Sequence, residues 1–246
     1  QIHIDEKNTI DYRNMSLGLY LFFIGLCKRV VIADTFGMYA DLGYKTTQSL
    51  SMAEAWITSL SYTFQIYFDF SGYTDMAIGT AYFFNIKLPL NFNSPYLSLN
   101  IQDFWRRWHI TLSRFIRDYI YIPLGGSRKG EFLTYINIMI TFLICGFWHG
   151  SGWTFIIWGG VHGATLCIHR IWLKFNIIMP KILAIFITFN VVNVAWVFFR
   201  ANSIHDAINV CKAMMGSNVL YSPSIFQANE QLEHVIALLI VSSAVF

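Results

Sequence analysis

Histidine in apolar sequence is the most informative candidate for chemistry in this chain. His149 stands in the string FWHGSGW, inside a run over residues 132–169 that contains no Asp, Glu, Lys or Arg. A run of this length can cross a bilayer, which needs about 20 helical residues, and a polar group at that depth is tolerated where it faces protein or a water-filled cavity. Imidazole can take a proton from an attacking hydroxyl and return it to a leaving group, so His149 is a candidate for acid–base catalysis. The alternative is a structural histidine, hydrogen-bonded between packed helices.

A second histidine, His109, stands in the string DFWRRWHITLSRFIRDY. On a continuous helix it would share a face with Trp105, Arg106 and Ser113. The pattern leaves two interpretations open: a solvated histidine on an amphipathic surface helix, or a second active-site histidine that the fold brings close to His149.

His162 also lies in the charge-free run, in the string GGVHGA. Gly159, Gly160 and Gly163 form a small-residue surface of the kind that lets membrane helices pack closely, which favours a packing role for His162. The chain has no HxxxH, HxxHH or HExxH motif, and we therefore expect no metal cofactor.

Asp69 and Asp75 lie beside aromatic residues in the string YFDFSGYTDMAIG. A charge in such surroundings needs a partner or water, so we expect an ion pair or a helix cap, with cavity lining as the alternative. Ser71 and Ser151 are not in a GxSxG nucleophile elbow, which argues against a serine hydrolase.

The composition is that of an integral membrane protein. Of the residues, 55% are hydrophobic, 17% aromatic and only 13% charged, against about 25% charged in an average soluble domain. The net charge of +3 comes largely from basic residues at positions 106–129, a cluster that indicates the cytoplasmic side of a membrane. We therefore expect no nucleic-acid partner.

The cysteines and the chain ends lead to two further expectations, on the state of the thiols and on the extent of the domain. Cys27, Cys145, Cys167 and Cys211 are far apart in mostly apolar sequence, which favours buried, reduced thiols over a disulfide framework. The chain opens on Gln1 and stops inside an apolar run. We therefore expect residues 1–246 to be one membrane domain, truncated at both ends, of a longer polytopic protein.

Several apolar segments must position the histidines. Candidate spanning or embedded segments are residues 15–32, 53–70, 75–86, 132–148, 152–172, 182–199 and 235–246. Segment 75–86 is too short to span, and Lys28 and Arg29 interrupt segment 15–32. Residues 91–96 predict a polar turn, and residues 102–122 an amphipathic helix with Asp103–Arg107 and Arg114–Asp118 at i,i+4 spacing. The pattern predicts an all-α body of several helices with an internal cavity.

Four strings occur together in this order: FDFSGYTDMAIG, NFNSPY, DFWRRWHITLSRFIRDYIYIPLGG and GFWHGSGWTFIIWGGVHG. They closely resemble the membrane-bound O-acyltransferase (MBOAT) family, nearest to its bacterial alginate O-acetyltransferase (AlgI) branch, with the D-alanyl transfer protein of teichoic-acid modification more distant. The resemblance covers about residues 25–200. It implies a polytopic helical fold around a central funnel or tunnel. It also implies that His149 corresponds to the family's active-site histidine and His109 to a second important histidine.

The resemblance also implies a function. We expect a multi-pass protein of the bacterial cytoplasmic membrane that moves an acyl group, with acetyl as the expected group, from a cytoplasmic thioester donor such as acetyl-CoA or an acyl-carrier protein. The expected acceptor is an extracytoplasmic polysaccharide such as alginate or a cell-wall polymer, reached directly or through a partner acyltransferase outside the cytoplasm; lipid surrounds the protein. A membrane transporter or channel, and a non-catalytic subunit of a polysaccharide-export complex, are the competing classes.

Overall fold

The computed structural model describes residues 11–217 together with the backbone of residues 3–4. This part of the chain is mostly helical, as predicted, with one small departure: two-residue strands β1 (His3–Ile4) and β2 (Ile86–Lys87) pair antiparallel. The helices are α1 (Tyr12–Cys27), α2 (Asp34–Lys45), α3 (Met52–Tyr82), α4 (Ile101–Arg107), α5 (Ile110–Ile116), α6 (Glu131–His149), α7 (Trp153–Trp172), α8 (Lys181–Arg200) and α9 (Ile204–Met214).

A π-helical turn over Lys28–Ala33 joins α1 to α2, so that Tyr12–Lys45 forms one helix of 34 residues. The cations that interrupt the apolar run are paired with α3. Lys28 Nζ lies 2.7 Å from Asp75 and Arg29 Nε lies 3.3 Å from Asp69. Of the ion pair and the helix cap expected as structural alternatives for these carboxylates, both form the ion pair, Asp69 with an arginine and Asp75 with a lysine.

Helix α3 runs unbroken for 31 residues, which corrects the prediction of separate segments at residues 53–70 and 75–86. Gly72 falls between the two predicted segments. It permits close packing against α1 and does not end the helix. A Cβ at Gly72 would stand 2.6 Å from the carbonyl oxygen of Gly25. Without side chains at these two positions α1 and α3 approach closely, and the helical hydrogen bonds continue.

Helices α6 and α7 form an antiparallel hairpin with the same kind of contact. A Cβ at Gly163 would lie 2.9 Å from Met139 Sδ, and one at Gly159 would collide with the carbonyl oxygen of Phe142. The predicted small-residue packing surface is confirmed for these two glycines. Near the open end of the hairpin Lys174 pairs with Glu131.

The amphipathic helix predicted over residues 102–122 is interrupted. It consists of α4, a turn at Trp108 and His109, α5, and a π-helical turn over Arg117–Tyr121. The prediction that His109 shares a helical face with Trp105 and Ser113 is therefore wrong. Asp103 pairs with Arg107 at 3.0 Å as expected, whereas Asp118 pairs with Arg117, at 2.7 Å, and not with Arg114.

Among the described residues, three helices are long and apolar enough to cross a membrane: Tyr12–Lys45, Glu131–His149 and Lys181–Arg200. The segment predicted at residues 235–246 lies outside the described residues. All four cysteines are free, but only Cys145 is buried, whereas Cys167 and Cys211 are half-buried and Cys27 is exposed, which corrects the expectation of four buried thiols. Cys27 is at the end of α1, on the side that α3 does not cover.

The core is an aromatic cluster where α3, α4, α7 and α8 meet. Its central side chains are almost fully buried: Phe104, Trp158 and Trp196 are each 1% exposed. This cluster supports the candidate site.

Candidate active site

His149 is the last residue of α6 and its ring is held by aromatic contacts. The rings of Trp148, Trp158 and Phe199 stand nearly edge-on to it, with centroids 4.8, 5.1 and 5.1 Å away. Among the described residues no hydrogen bond orients the imidazole. Its position therefore depends on Trp158 and Phe199, which come from α7 and α8.

His109 lies between α4 and α5 in left-handed backbone conformation, with φ 41° and ψ 59°. A residue other than glycine is uncommon there, and such conformations persist where surrounding contacts hold them, often at functional sites. The ring of Phe70 packs edge-on at a centroid distance of 4.7 Å. The chain therefore turns at this point so that the imidazole faces α3.

Asn91 holds this turn. Its side-chain oxygen accepts hydrogen bonds from the Thr111 N–H at 3.2 Å and the Thr111 hydroxyl at 2.7 Å, and lies 3.2 Å from His109 Nδ1. The carbonyl oxygen of Asn91 accepts from the Ile110 N–H at 3.0 Å. These bonds replace helical ones and explain why the predicted helix breaks at His109.

The charge state of His109 follows from its surroundings. Burial, and to a smaller extent the charge of the nearby His149, together lower the pKa of His109 to about 4. Burial has this effect because it disfavours the charged imidazolium. His109 is therefore neutral at physiological pH, and the two histidines are near enough for the charge of one to act on the other.

A continuous set of ring contacts joins the surroundings of the two histidines. Phe92, which packs on Phe70, contacts Trp108 at 5.0 Å, and Trp108 contacts Trp196 at 5.0 Å. Trp196 then contacts Phe199 at 5.4 Å. The structure thus brings both predicted histidines to one aromatic cluster, although their catalytic roles stay predictions.

His162 is fully buried in this cluster, in agreement with the packing role expected for it. It has a polar contact as well: Trp105 Nε1 donates a hydrogen bond to His162 Nδ1 at 3.3 Å. Its ring lies 4.9 Å from Trp158, the tryptophan that packs on His149. Within the described chain, Trp158 Nε1 and His162 Nε2 have no hydrogen-bond partner, so the cluster holds buried N–H groups that remain available.

A cavity of about 580 Å³ lies beside the cluster, between the α4–α5 segment and the α6–α7 hairpin. Trp105 forms part of its wall. Its lining contains no Asp or Glu among the described residues, and its basic members are Arg106, Arg114, Arg117, His169 and Arg170. Of these, Arg117 pairs with Asp118, whereas the other three arginines form no ion pair with any described residue. The cavity is therefore strongly cationic and suited to an anionic ligand.

Sequence reasoning missed several residues that build the site. The sequence places Asn91 only in a local turn and Trp105 only on a helical face with His109, and it does not single out Trp158 or Phe199. The NFNSPY string gave a signal for Asn91, because Asn side chains bond to backbone groups. The partner of that bond lies about 20 positions along the chain, and no spacing rule connects the two.

Together, the helices and the site define a membrane-associated helical protein with two partly buried histidines on one aromatic cluster and a cationic cavity beside it. A model of the membrane-bound O-acyltransferase family matches residues 4–205. The chain belongs to this family, as the four sequence strings predicted, and within it to the AlgI-like branch.

Three curated relatives illustrate the range of this similarity. The chain is 62% identical over 219 residues to a peptidoglycan O-acetyltransferase of Helicobacter pylori, covering 87% of this chain and 42% of that protein. It is 43% identical over 227 residues to a probable alginate O-acetylase AlgI of Pseudomonas aeruginosa, covering 91% and 43%. It is 30% identical over 203 residues to a teichoic acid D-alanyltransferase of Bacillus subtilis, covering 76% and 51%. The chain thus spans about two fifths to half the length of these relatives.

Proposed function

We propose that this chain forms the acyl-transfer centre of a membrane-bound O-acyltransferase that moves an acyl group, most simply acetyl, from a cytoplasmic thioester to a hydroxyl of an extracytoplasmic polysaccharide. The observation that carries this proposal is the meeting of His149 and His109 on one aromatic cluster. Transfer to a hydroxyl needs a group that takes the hydroxyl proton and a donor that stabilises the oxygen of the tetrahedral intermediate.

The two histidines supply these functions in a balanced reaction. One imidazole removes the hydroxyl proton while the oxygen attacks the thioester carbonyl carbon. The tetrahedral intermediate then collapses, the carbon–sulfur bond breaks, and the protonated imidazole returns the proton to the thiolate. The family motif assigns the base to His149. The ring of Trp158 packs against His149 with centroids 5.1 Å apart, and its Nε1–H has no partner among the described residues, which supports it as a donor to the developing charge.

The arginine-lined cavity supports a phosphate-bearing donor such as acetyl-CoA or the phosphopantetheine arm of an acyl-carrier protein. Arginine is the side chain best suited to phosphate, and a volume of about 580 Å³ fits the usual range of ligand pockets. On α7 the cavity residue His169 stands 11 positions beyond Trp158, or about 17 Å along the helix axis. A thioester on a long flexible arm bridges such a distance while its phosphate stays among the arginines.

The activities named for the relatives support the acceptor class. They include peptidoglycan O-acetyltransferase and alginate O-acetylase, and peptidoglycan and alginate are both extracytoplasmic polysaccharides. We therefore propose a cell-wall or exopolysaccharide acceptor, reached directly or through a partner acyltransferase outside the cytoplasm. The proposed location is the bacterial cytoplasmic membrane, which the family and the three candidate spans support.

The test is acyl transfer by the complete protein reconstituted in lipid vesicles, with a thioester labelled in its acyl group. We expect label to reach the polysaccharide, or the partner acyltransferase when that is supplied. A transporter or channel would instead move solute across the vesicle without consuming thioester, and a structural subunit of an export complex would do neither. Either result would overturn the proposal.

A further inference from the structure

The contacts of Asn91 decide which ring atom of His109 can react. The Thr111 backbone N–H can only donate, so the Asn91 atom that faces it is the side-chain oxygen. That oxygen can only accept, and it lies 3.2 Å from His109 Nδ1. The Nδ1 atom must therefore carry the hydrogen of the neutral ring, which leaves a lone pair on Nε2.

This tautomer limits what His109 can do. A neutral imidazole has one N–H, and in His109 it is already bonded to Asn91. The ring therefore has no hydrogen to offer to a thioester oxygen, but it has a free acceptor atom. An oriented acceptor of this kind, with a third group on the opposite ring nitrogen, is the usual arrangement of a general base.

His149 differs in this respect. In the described part of the chain its ring is held by Trp148, Trp158 and Phe199 alone, so no partner uses its N–H. Its ring packs against that of Trp158 with centroids 5.1 Å apart, and the Trp158 N–H also has no partner among the described residues.

We infer that Asn91 is a positioning residue that holds His109 as the general base, acting through Nε2, while His149 donates its ring N–H to the thioester oxygen. This inference rests on the proposed function and reverses the roles that the motif suggests for the two histidines. The hydroxyl proton moves to His109 Nε2 as the new carbon–oxygen bond forms. It passes to the departing thiolate when the carbon–sulfur bond breaks.

Few charges act on His109. The His109 ring contacts Phe70 from α3 and Asn91 from the segment before α4, and both are uncharged. His149, at the end of α6, acts on it through its charge. On its own segment Arg107 is paired with Asp103. Among the described residues, a carboxylate placed at position 91 would be the first negative charge in contact with the ring.

The test is the pH profile of acyl transfer by the complete Asn91→Asp protein. A carboxylate next to Nδ1–H favours the imidazolium and raises the pKa of His109 by about 2 units, from about 4 to about 6. At pH 5 the neutral fraction of His109 then falls to about one tenth, so the ratio of activity at pH 8 to that at pH 5 rises about tenfold over wild type.

Asn93→Asp is the matched control, because it makes the same chemical change at an exposed side chain two residues away; it should keep the wild-type ratio. An unchanged ratio in an active Asn91→Asp protein would overturn the inference. Wild-type protein without any transfer from thioester would instead overturn the proposed function.

A second measurement does not depend on the folding of a variant. Solid-state NMR of ¹⁵N-histidine-labelled wild-type protein, with His109→Asn used to assign the signals, reports which ring nitrogen of His109 carries hydrogen. Hydrogen on Nδ1 at pH 7 supports the inference. Hydrogen on Nε2 overturns it.

Discussion

The two histidines of the candidate site are held in opposite ways. His149 ends a regular helix and is fixed by three aromatic rings, whereas His109 sits in a strained turn and is fixed by hydrogen bonds that begin at Asn91. Ring contacts restrict the position of an imidazole but do not determine its tautomer. A hydrogen bond to a ring nitrogen determines the position and the tautomer together. The comparison suggests that the residue with the stronger sequence motif is not the one with the more closely defined protonation state.

The largest effect is expected from His109→Ala. If His109 removes the hydroxyl proton, its loss lowers the rate of acyl transfer by about 10²–10⁴-fold. His109→Asn should be as inactive as His109→Ala, because an amide cannot take the proton. The measurement is the initial rate per folded protein, with thermal stability determined on the same purified samples. Substantial activity in the Asn variant would return His109 to a hydrogen-bonding or structural role.

His149→Ala should lower the rate by about 10²–10³-fold, the loss typical of one oxyanion donor. His149→Gln should recover part of the rate, because its side-chain amide also offers N–H. Expression and membrane insertion of both variants are expected to match wild type, since His149 is only partly buried. Partial activity of His149→Gln together with an inactive His109→Asn would support His149 as the hydrogen-bond donor and His109 as the base. Wild-type rates in both His149→Ala and His149→Gln would show that His149 takes no part in the reaction.

A smaller effect is expected in the arginine-lined cavity. Arg114→Gln removes a charge that forms no ion pair with any described residue, so the KM for a phosphate-bearing thioester should rise about tenfold, as expected for one lost charge-assisted hydrogen bond. The value of kcat at saturating donor should stay close to wild type. Arg128→Gln is the control, because Arg128 is an exposed basic residue outside the cavity lining. Equal KM values in the two variants would show that the cavity does not bind the thioester donor.

Sequence alone predicted much of the helical framework. The apolar runs that became α6, α7 and α8 were located to within one or two residues, because periodicity and charge-free length are local properties. The break at His109 and the continuity of α3 were not predicted. Both depend on contacts between distant segments: Asn91 with the turn after α4, and Gly25 with Gly72.

The site shows the same limit. His109 and His149 were found from their motifs, but the groups that orient them come from other elements. Phe199 lies 50 positions beyond His149, and its ring contact exists only because α8 packs against the α6–α7 hairpin. The role of His162 was predicted only as packing, because the hydrogen bond from Trp105 joins residues 57 positions apart.

The central claim is that His109 and His149 act together on one acyl transfer. The most direct test is the initial rate of transfer from a labelled thioester by the complete protein carrying His109→Asn, His149→Gln, or both. Residues that act as a unit show strongly non-additive losses, so we predict a rate for the double variant within about threefold of the slower single variant. If instead the two fold-losses multiply, the histidines contribute independently and the account of a shared site is contradicted.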